Sequence, residues 1–334
     1  MVKITDVARH AGVSPSTVSY ALNGKRPISE ETRRRIEASI RELGYHPHAG
    51  ARALAGARSR ALALVMPLRS GVHLPVVTQF AMSVVTAARR HDHDVLLLTG
   101  EEGEDGLRRV ADSARADGFV VMDVQLNDRR LPLLRTLRRP SVLIGFPAEP
   151  AGLTCVDLDF RAVGETCVEH LALLGHRRVA LLGSPPEVYE RGTGFARRVA
   201  EGFTAAAERN GLAAAVHPGG TDPAAAPALV RRLLGTDPPP TGVVVHNEAV
   251  LGPLTDALRA EGLRVPEDLS VVAVCPDDQA ERAPVPLTSV AIPAAELGTR
   301  AVDLLIRQLD GEPVPEATLL PPRLTVRSST GPRA

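Results

Sequence analysis

From Ala61 onward, short apolar runs return at intervals along the chain: ALALVM (61–66), DVLLL (94–98), GFVVM (118–122), SVLIG (141–145), RVALLG (178–183), TGVVV (241–245) and LSVVAV (269–274). Helical stretches separate them, and such alternation means βαβ units, with parallel strands whose crossover helices cover the sheet. So many strands spread over residues 61–334 favour two doubly wound lobes.

The opening of the chain has a different rhythm. Ile4, Val7, Ala8 and Ala11 recur at i, i+3, i+4 and i+7 and give one face of a first helix that Gly12 ends. Ser14 is a good N-cap and Pro15 suits the first helical position, where a missing N–H costs nothing. Val18, Ala21 and Leu22 form the buried face of this second helix until Asn23-Gly24 breaks it. After Lys25-Arg26-Pro27, Ser29 caps a third helix with Glu30 and Glu31 in its first turn, Ile36, Ile40 and Leu43 along one face, and Gly44 at its end. Three small apolar faces make one small core.

Charge separates this head from the rest. The chain has 39 Lys/Arg and 39 Asp/Glu, yet residues 1–60 hold eleven basic residues against five acids. A basic head on an acidic body is the electrostatic footprint of nucleic-acid binding; a solvated charged face is the alternative. A short helix docked by a tight turn on its predecessor can enter a major groove about 12 Å wide. Pro15, Ser16, Ser19 and Tyr20 then lie on its N-terminal or outward side as readers, while Ser and Thr hydroxyls, arginines and helix N-termini anchor phosphates. The alternative is a three-helix packing module without DNA.

These residues resemble the LacI family of bacterial transcription regulators, through Ile4, Asp6-Val7-Ala8, Ala11-Gly12-Val13-Ser14, Thr17-Val18-Ser19 and Leu22-Asn23. The match continues through Ser29, Thr32-Arg33, Ile36, Leu43-Gly44-Tyr45, Pro47, Ala51 and Leu54-Ala55-Gly56. It implies an N-terminal all-α helix-turn-helix head (1–47), a hinge helix and linker (48–60), and an α/β bilobed periplasmic-binding-protein-like effector and dimerisation domain (61–334). The chain is expected to cross between lobes near Phe160, Ala291 and Pro322, with a ligand cleft between them. The implied DNA contacts are Ser14, Pro15, Ser16, Thr17, Ser19, Tyr20, Asn23 and, as a minor-groove wedge from the hinge, Leu54. The implied partners are double-stranded palindromic operator DNA, a small-molecule effector and a second copy of the chain.

The departures from the family pattern are local. Lys3 stands where a Thr often caps the first helix, and Tyr20 stands where many members carry an arginine; a phenol cannot make a bidentate fork to guanine. Body motifs VDLDF (156–160), GHRRVALLG (175–183), VPEDLSVVAV (265–274) and PLTSV (286–290) are scaffold signatures. At the pocket, the family's Asn-Asp is Asn247-Glu248 here. Its ligand-binding arginine before Gly-Phe is replaced by Val199, with Arg198 one residue earlier, either reaching the cleft from a shifted helix start or lying on the surface. Asp277-Asp278 are either a displaced ligand-gripping carboxylate or a solvated turn. The candidate effector contacts are therefore Arg198, Asn247, Glu248 and Asp277. RSGVHLPVV (69–77) replaces an aromatic-rich segment, so the effector is expected to be small and polar, something other than a sugar, or absent.

Other classes receive little support. Gly192-Thr193-Gly194 is too incomplete for a dinucleotide fingerprint and reads as a loop. His91-Asp92-His93 reads as a helix end, and Cys155, Cys167 and Cys275 as buried thiols without disulfide or zinc spacing. No cofactor, metal or catalytic group is expected. A cytoplasmic location is expected because the N-terminus carries no apolar signal core and no run approaches the roughly 18 residues of a membrane span. A solute-binding protein and an enzyme on a doubly wound fold are the alternatives.

Overall fold

A computed structural model describes residues 2–23, 26–45, 58–69, 71, 73–100, 103–113, 115–137, 139–220, 222, 224 and 226–333. In the head, α1 (Ile4–Ala11), α2 (Pro15–Asn23) and α3 (Glu30–Leu43) pack Val7, Ala8, Ala11, Val18, Ile36 and Tyr45 into one core. Gly12 and Gly44 end α1 and α3 in the left-handed region (φ 64° and 60°), which glycine adopts without strain. Ser14 Oγ accepts from the Thr17 N–H at 3.1 Å and Ser29 Oγ from the Thr32 N–H at 3.3 Å, so both expected caps form. Leu22, expected on the buried face of α2, is 39% exposed: among the described residues Val18 and Ala21 supply the α2 side of the small core.

The body follows in chain order: β1 (Ala61–Val65), α4 (Leu74–Arg90), β2 (Asp94–Leu98), α5 (Gly103–Asp112), β3 (Gly118–Val121), α6 (Leu131–Thr136), β4 (Ser141–Ile144), β5 (Thr154–Leu158) and α7 (Phe160–Leu173). Then come β6 (Arg178–Gly183), α8 (Pro186–Glu190), α9 (Gly194–Arg209), β7 (Ala213–Pro218), α10 (Ala226–Leu234), β8 (Gly242–Val245), α11 (Leu251–Ala260), β9 (Ser270–Cys275) and α12 (Asp277–Arg282). β10 (Thr288–Ala291), α13 (Ala294–Leu309), β11 (Ala317–Leu320) and β12 (Leu324–Thr325) complete the described chain.

Among the described residues the strands form two six-stranded sheets, ordered β11-β5-β4-β3-β1-β2 and β12-β10-β9-β8-β6-β7. Pairing is parallel except between β10 and β12. Each sheet carries helices on both faces, and the continuous apolar runs are strands buried on both sides: β3, β4, β5, β8 and β9 are buried at every residue. The chain passes between lobes between β5 and α7, between β10 and α13, and between β11 and β12, at the three places expected.

Two close contacts fix this frame. A Cβ on Gly202 would collide with the Arg161 carbonyl and one on Gly164 with the Val199 carbonyl, so α7 and α9 pack backbone to backbone. Where the body begins, the buried Asp117 carboxylate accepts from the Ser59 and Arg60 N–H groups at 2.7 Å each, and Arg58 pairs with Asp310 at 2.8 Å. The start of the body is thus tied to both β3 and the end of α13.

Candidate functional site

The start of α2 faces solvent. Ser14, Pro15 and Ser16 are exposed, and Thr17, Ser19 and Tyr20 are half-buried on α2. Ser14 Oγ meets the hydroxyls of Ser16 (3.1 Å) and Thr17 (2.8 Å), so this hydroxyl cluster builds the turn as well as facing outward. The Arg26 guanidinium lies 5.4 Å from the Tyr20 ring centroid, which brings a positive charge beside α2. Asn23 closes α2, and Leu54 with most of the hinge stretch lies outside the described residues. Arg35 donates to the Ala11 carbonyl and so holds α3 to the end of α1. Lys3 cannot accept a hydrogen bond, and the start of α1 is capped instead in reverse: Asp6 accepts from the Lys3 N–H at 2.9 Å.

In the body, a cavity of about 150 Å³ lies between the lobes, at the carboxyl ends of both sets of strands. Its wall is mostly apolar, and three of the chain's six phenylalanines (Phe80, Phe160, Phe195) are drawn into it. Phe160, Phe195 and His246 form a ring cluster with centroids 5.6–5.9 Å apart. Burial pushes His246 down to about 4, so its ring is neutral at pH 7, and its Nδ1 has no partner among the described residues. Burial also pushes the carboxyls of Asp157, at the end of β5, and Glu248, just past β8, up to about 7. Asp123 also reaches the wall but is paired with Arg69 at 2.9 Å.

Beside the cavity the lobes touch directly. Leu126 N–H donates to the Gly192 carbonyl at 2.8 Å and Gly194 N–H to the Val124 carbonyl at 3.2 Å, with an isolated bridge between Gln125 and Thr193. Arg198 donates to the carbonyls of Phe146 (2.7 Å) and Pro147 (3.2 Å) of the opposite lobe. The Gly-Thr-Gly segment, read as a loop, is one half of this contact between lobes.

The four expected effector residues are thus not brought together. Asn247 and Glu248 line the cavity, Asn247 with its amide donated to the Gly219 and Gly220 carbonyls (2.9 and 3.3 Å). Arg198 lies outside the lining because its guanidinium is spent on the opposite lobe's backbone. Asp277 sits in the first turn of α12, held at 3.0 Å by Arg327, which is itself anchored on Ser289 and the Leu287 carbonyl. The wall carries aromatic rings although the RSGVHLPVV segment supplies none: Phe80, Phe160 and Phe195 come from α4, α7 and α9.

A profile of the bacterial regulatory proteins of the lacI family matches residues 3–48, and one of the periplasmic binding protein-like domain matches residues 168–330. The HTH-type transcriptional regulator AglR of Rhizobium meliloti is 31% identical over 99% of this chain and 95% of its own length. The chain belongs to the LacI family. Another relative of this LacI-family regulator, the HTH-type transcriptional repressor CytR of Escherichia coli, is 30% identical over 97% of this chain and 95% of its own. The lac repressor dimer bound to operator and the anti-inducer ONPF superposes with a TM-score of 0.82 at 25% identity, covering 99% of each chain. A CelR–cellobiose complex does so with a TM-score of 0.69 at 27% identity, covering 98% of this chain and all of that one.

Sequence reasoning did not single out Asp157, His246, Phe80 or Phe195. Asp157 stood inside VDLDF, where it read as scaffold, and the only local signal was a carboxylate in a strand otherwise free of charge.

Proposed function

We propose that this LacI-family chain is a repressor that binds a palindromic operator as a homodimer, and that a small molecule held between the lobes sets its operator affinity. The observation that carries the reading is the joining, in one chain, of a basic helix-turn-helix head to a two-lobed body with a cavity at the lobe junction. In this reading residues 1–47 are the DNA-binding head, 48–60 the hinge and 61–334 the effector and dimerisation domain. Ser14, Pro15, Ser16, Thr17, Ser19, Tyr20 and Asn23 meet the major groove and Leu54 the minor groove. Asn247 and Glu248 meet the effector, while Arg198 sets how the lobes close.

The homodimer is supported by exposed apolar residues on the first lobe: Leu74 and Met82 on α4 and Leu97 on the packed edge strand β2 are 46–57% exposed. Communication has a physical route. Lobe closure moves β3 and α13, to which residues 58–60 are tied, and the spacing of two hinges across a dimer axis changes with it. Its relatives are transcription regulators rather than enzymes. No helix among the described residues is long and apolar enough to cross a membrane, and a cytoplasmic location fits the reading.

The test is operator binding by fluorescence anisotropy for the full chain and for residues 58–334, over 50–200 mM salt. The full chain should bind with an affinity that falls steeply with salt, and the headless form should not bind. Equal binding by both forms would overturn the reading.

A further inference from the structure

Gln125 and Thr193 face each other across the lobe junction as an antiparallel bridge, flanked by the Leu126-to-Gly192 and Gly194-to-Val124 hydrogen bonds. This is the pattern of a non-hydrogen-bonded pair, whose Cα atoms stand about 4.5 Å apart. A second contact runs beside it. Arg198 donates to the Phe146 and Pro147 carbonyls, and the Ala148 N–H donates to the Leu126 carbonyl at 2.9 Å, which joins the two first-lobe segments. Gly194 makes the approach possible: a Cβ there would stand 2.9 Å from the Phe146 carbonyl of the opposite lobe, and the one closer atom is the movable Arg198 Nη1.

A buried ion pair holds the first-lobe half ready. Asp128 and Arg130 are 7% and 5% exposed and meet at 2.6 Å. Asp128 accepts from the Gln125 N–H at 3.2 Å, and Arg130 donates to the Met122 and Asp123 carbonyls at 3.0 and 2.9 Å, so the pair grips the turn on both sides of Val124. Asp123 within that turn has φ 53°, a left-handed conformation uncommon for a residue with a side chain. Burial works against the Asp128 charge, yet the bonds from Arg130 outweigh it, and the carboxyl titrates below its usual range. A buried ion pair often stabilises less than well-packed apolar residues would. Here it supplies what apolar side chains cannot, hydrogen-bond partners for the backbone of the turn.

We propose that residues 124–126 and 146–148 of the first lobe and 192–198 of the second form a clasp that keeps the lobes closed in the ligand-free chain, and that the Asp128–Arg130 pair positions its first-lobe half. The clasp borders the cavity: Asp123, Val124 and Gly145 line it from one lobe, Arg191 and Phe195 from the other. The proposal does not depend on what the cavity binds. Where the cavity is the effector site, the effector works on lobes that are already joined.

The test is a pair of thiols, Gln125→Cys with Thr193→Cys, in the full chain without added ligand. The spacing of such a pair suits a disulfide, whose Cα atoms lie roughly 4.4–6.8 Å apart. The native Cys155, Cys167 and Cys275 are buried, with thiols pushed up to about 12 by that burial, and stay out of the exchange. The fraction cross-linked in a glutathione redox buffer gives the effective concentration of one thiol for the other. It should exceed by tenfold or more the millimolar level of a short flexible linker. Gly194→Ala, which presses on the Phe146 carbonyl across the junction, should lower it at least tenfold while leaving the urea unfolding midpoint unchanged. Asp128→Asn should lower it as far; if that variant does not fold, Arg130→Lys, which keeps the charge but loses the fork, takes its place. A millimolar value in the parent pair, or no fall with Gly194→Ala, overturns the clasp. No fall with the ion-pair variant overturns the positioning role of Asp128 and Arg130.

Discussion

Replacing Asp157 by asparagine should make the ligand-free protein more stable at pH 8 than the wild type, and by less at pH 5.5. The folded carboxyl titrates at about 7 because burial disfavours its charged form, whereas in the unfolded chain it titrates at about 3.9. The folded state therefore binds more protons between these values, and stability falls as pH rises from about 4 to about 7, then levels off. Three units at about 1.36 kcal/mol each give a ceiling of about 4 kcal/mol, of which about 2 kcal/mol falls between pH 5.5 and 7. Asparagine is close in shape, can keep the bond from the Leu158 N–H and does not titrate. Urea unfolding of both proteins at pH 5.5 and pH 8 reads the difference directly, and any pH dependence from Glu248 cancels because both proteins carry it. A stability difference that is the same at the two pH values would show that Asp157 is not held protonated and that its surroundings are more solvated than the burial indicates.

Tyr20→Ala should change sequence preference more than non-specific affinity, since a side chain on α2 facing bases affects discrimination while arginines on phosphates set the baseline; a uniform loss across sequences in a binding selection would show that Tyr20 only positions the head. Leu54→Ala should weaken operator binding and reduce the bend while sparing dimerisation, because it removes an apolar wedge that opens a base step at a cost of a few kcal/mol; unchanged affinity and bend angle would make Leu54 a plain linker residue. Asp117→Ala should cost about 3 kcal/mol of stability, since it leaves two backbone N–H groups at the start of the body without their acceptor, and should reduce the effect of effector on operator affinity; a loss of stability with full effector response would place the coupling route elsewhere. Arg198→Ala should weaken effector binding by loosening the interlobe contact without changing operator affinity in the absence of effector, as titration of the variant would reveal.

Most of the scaffold was legible because its signals are local. Gly12, Ser14, Pro15, Ser29 and Gly44 act within one turn of where they stand, and the helix boundaries follow them. Strands such as GVVV and SVVAVC announce themselves because burial on both faces demands an uninterrupted apolar run. AAAVHP, on the edge beside β6, was missed because its first three positions are filled by alanine, which carries little strand signal, whereas the edge strand DVLLL keeps its leucines. The head's fold was read more fully than the cleft for the same reason: its caps and apolar faces each come from a single turn or helix, while the cavity is assembled from strand ends and helix starts of both lobes. Residue type did not separate Asp157 from the neighbouring Asp159, which merely caps α7 by accepting from the Ala162 N–H at 3.0 Å; only the fold shows which one faces the cavity. Arg198 and Asp277 were chosen for chemistry that suits a ligand, and the same chemistry suits the carbonyls of Phe146 and Pro147 and the guanidinium of Arg327 that hold them.

The most direct test of the account is the sequence of the DNA that the full chain selects from fragmented genomic DNA, compared with that selected by residues 58–334. A homodimer reading one half-site per head should recover a short inverted repeat with fixed spacing between halves. The headless protein should recover nothing above background. Enrichment of an unpaired or unspaced sequence, or equal enrichment by the headless protein, would contradict the claim that paired helix-turn-helix heads carry the recognition.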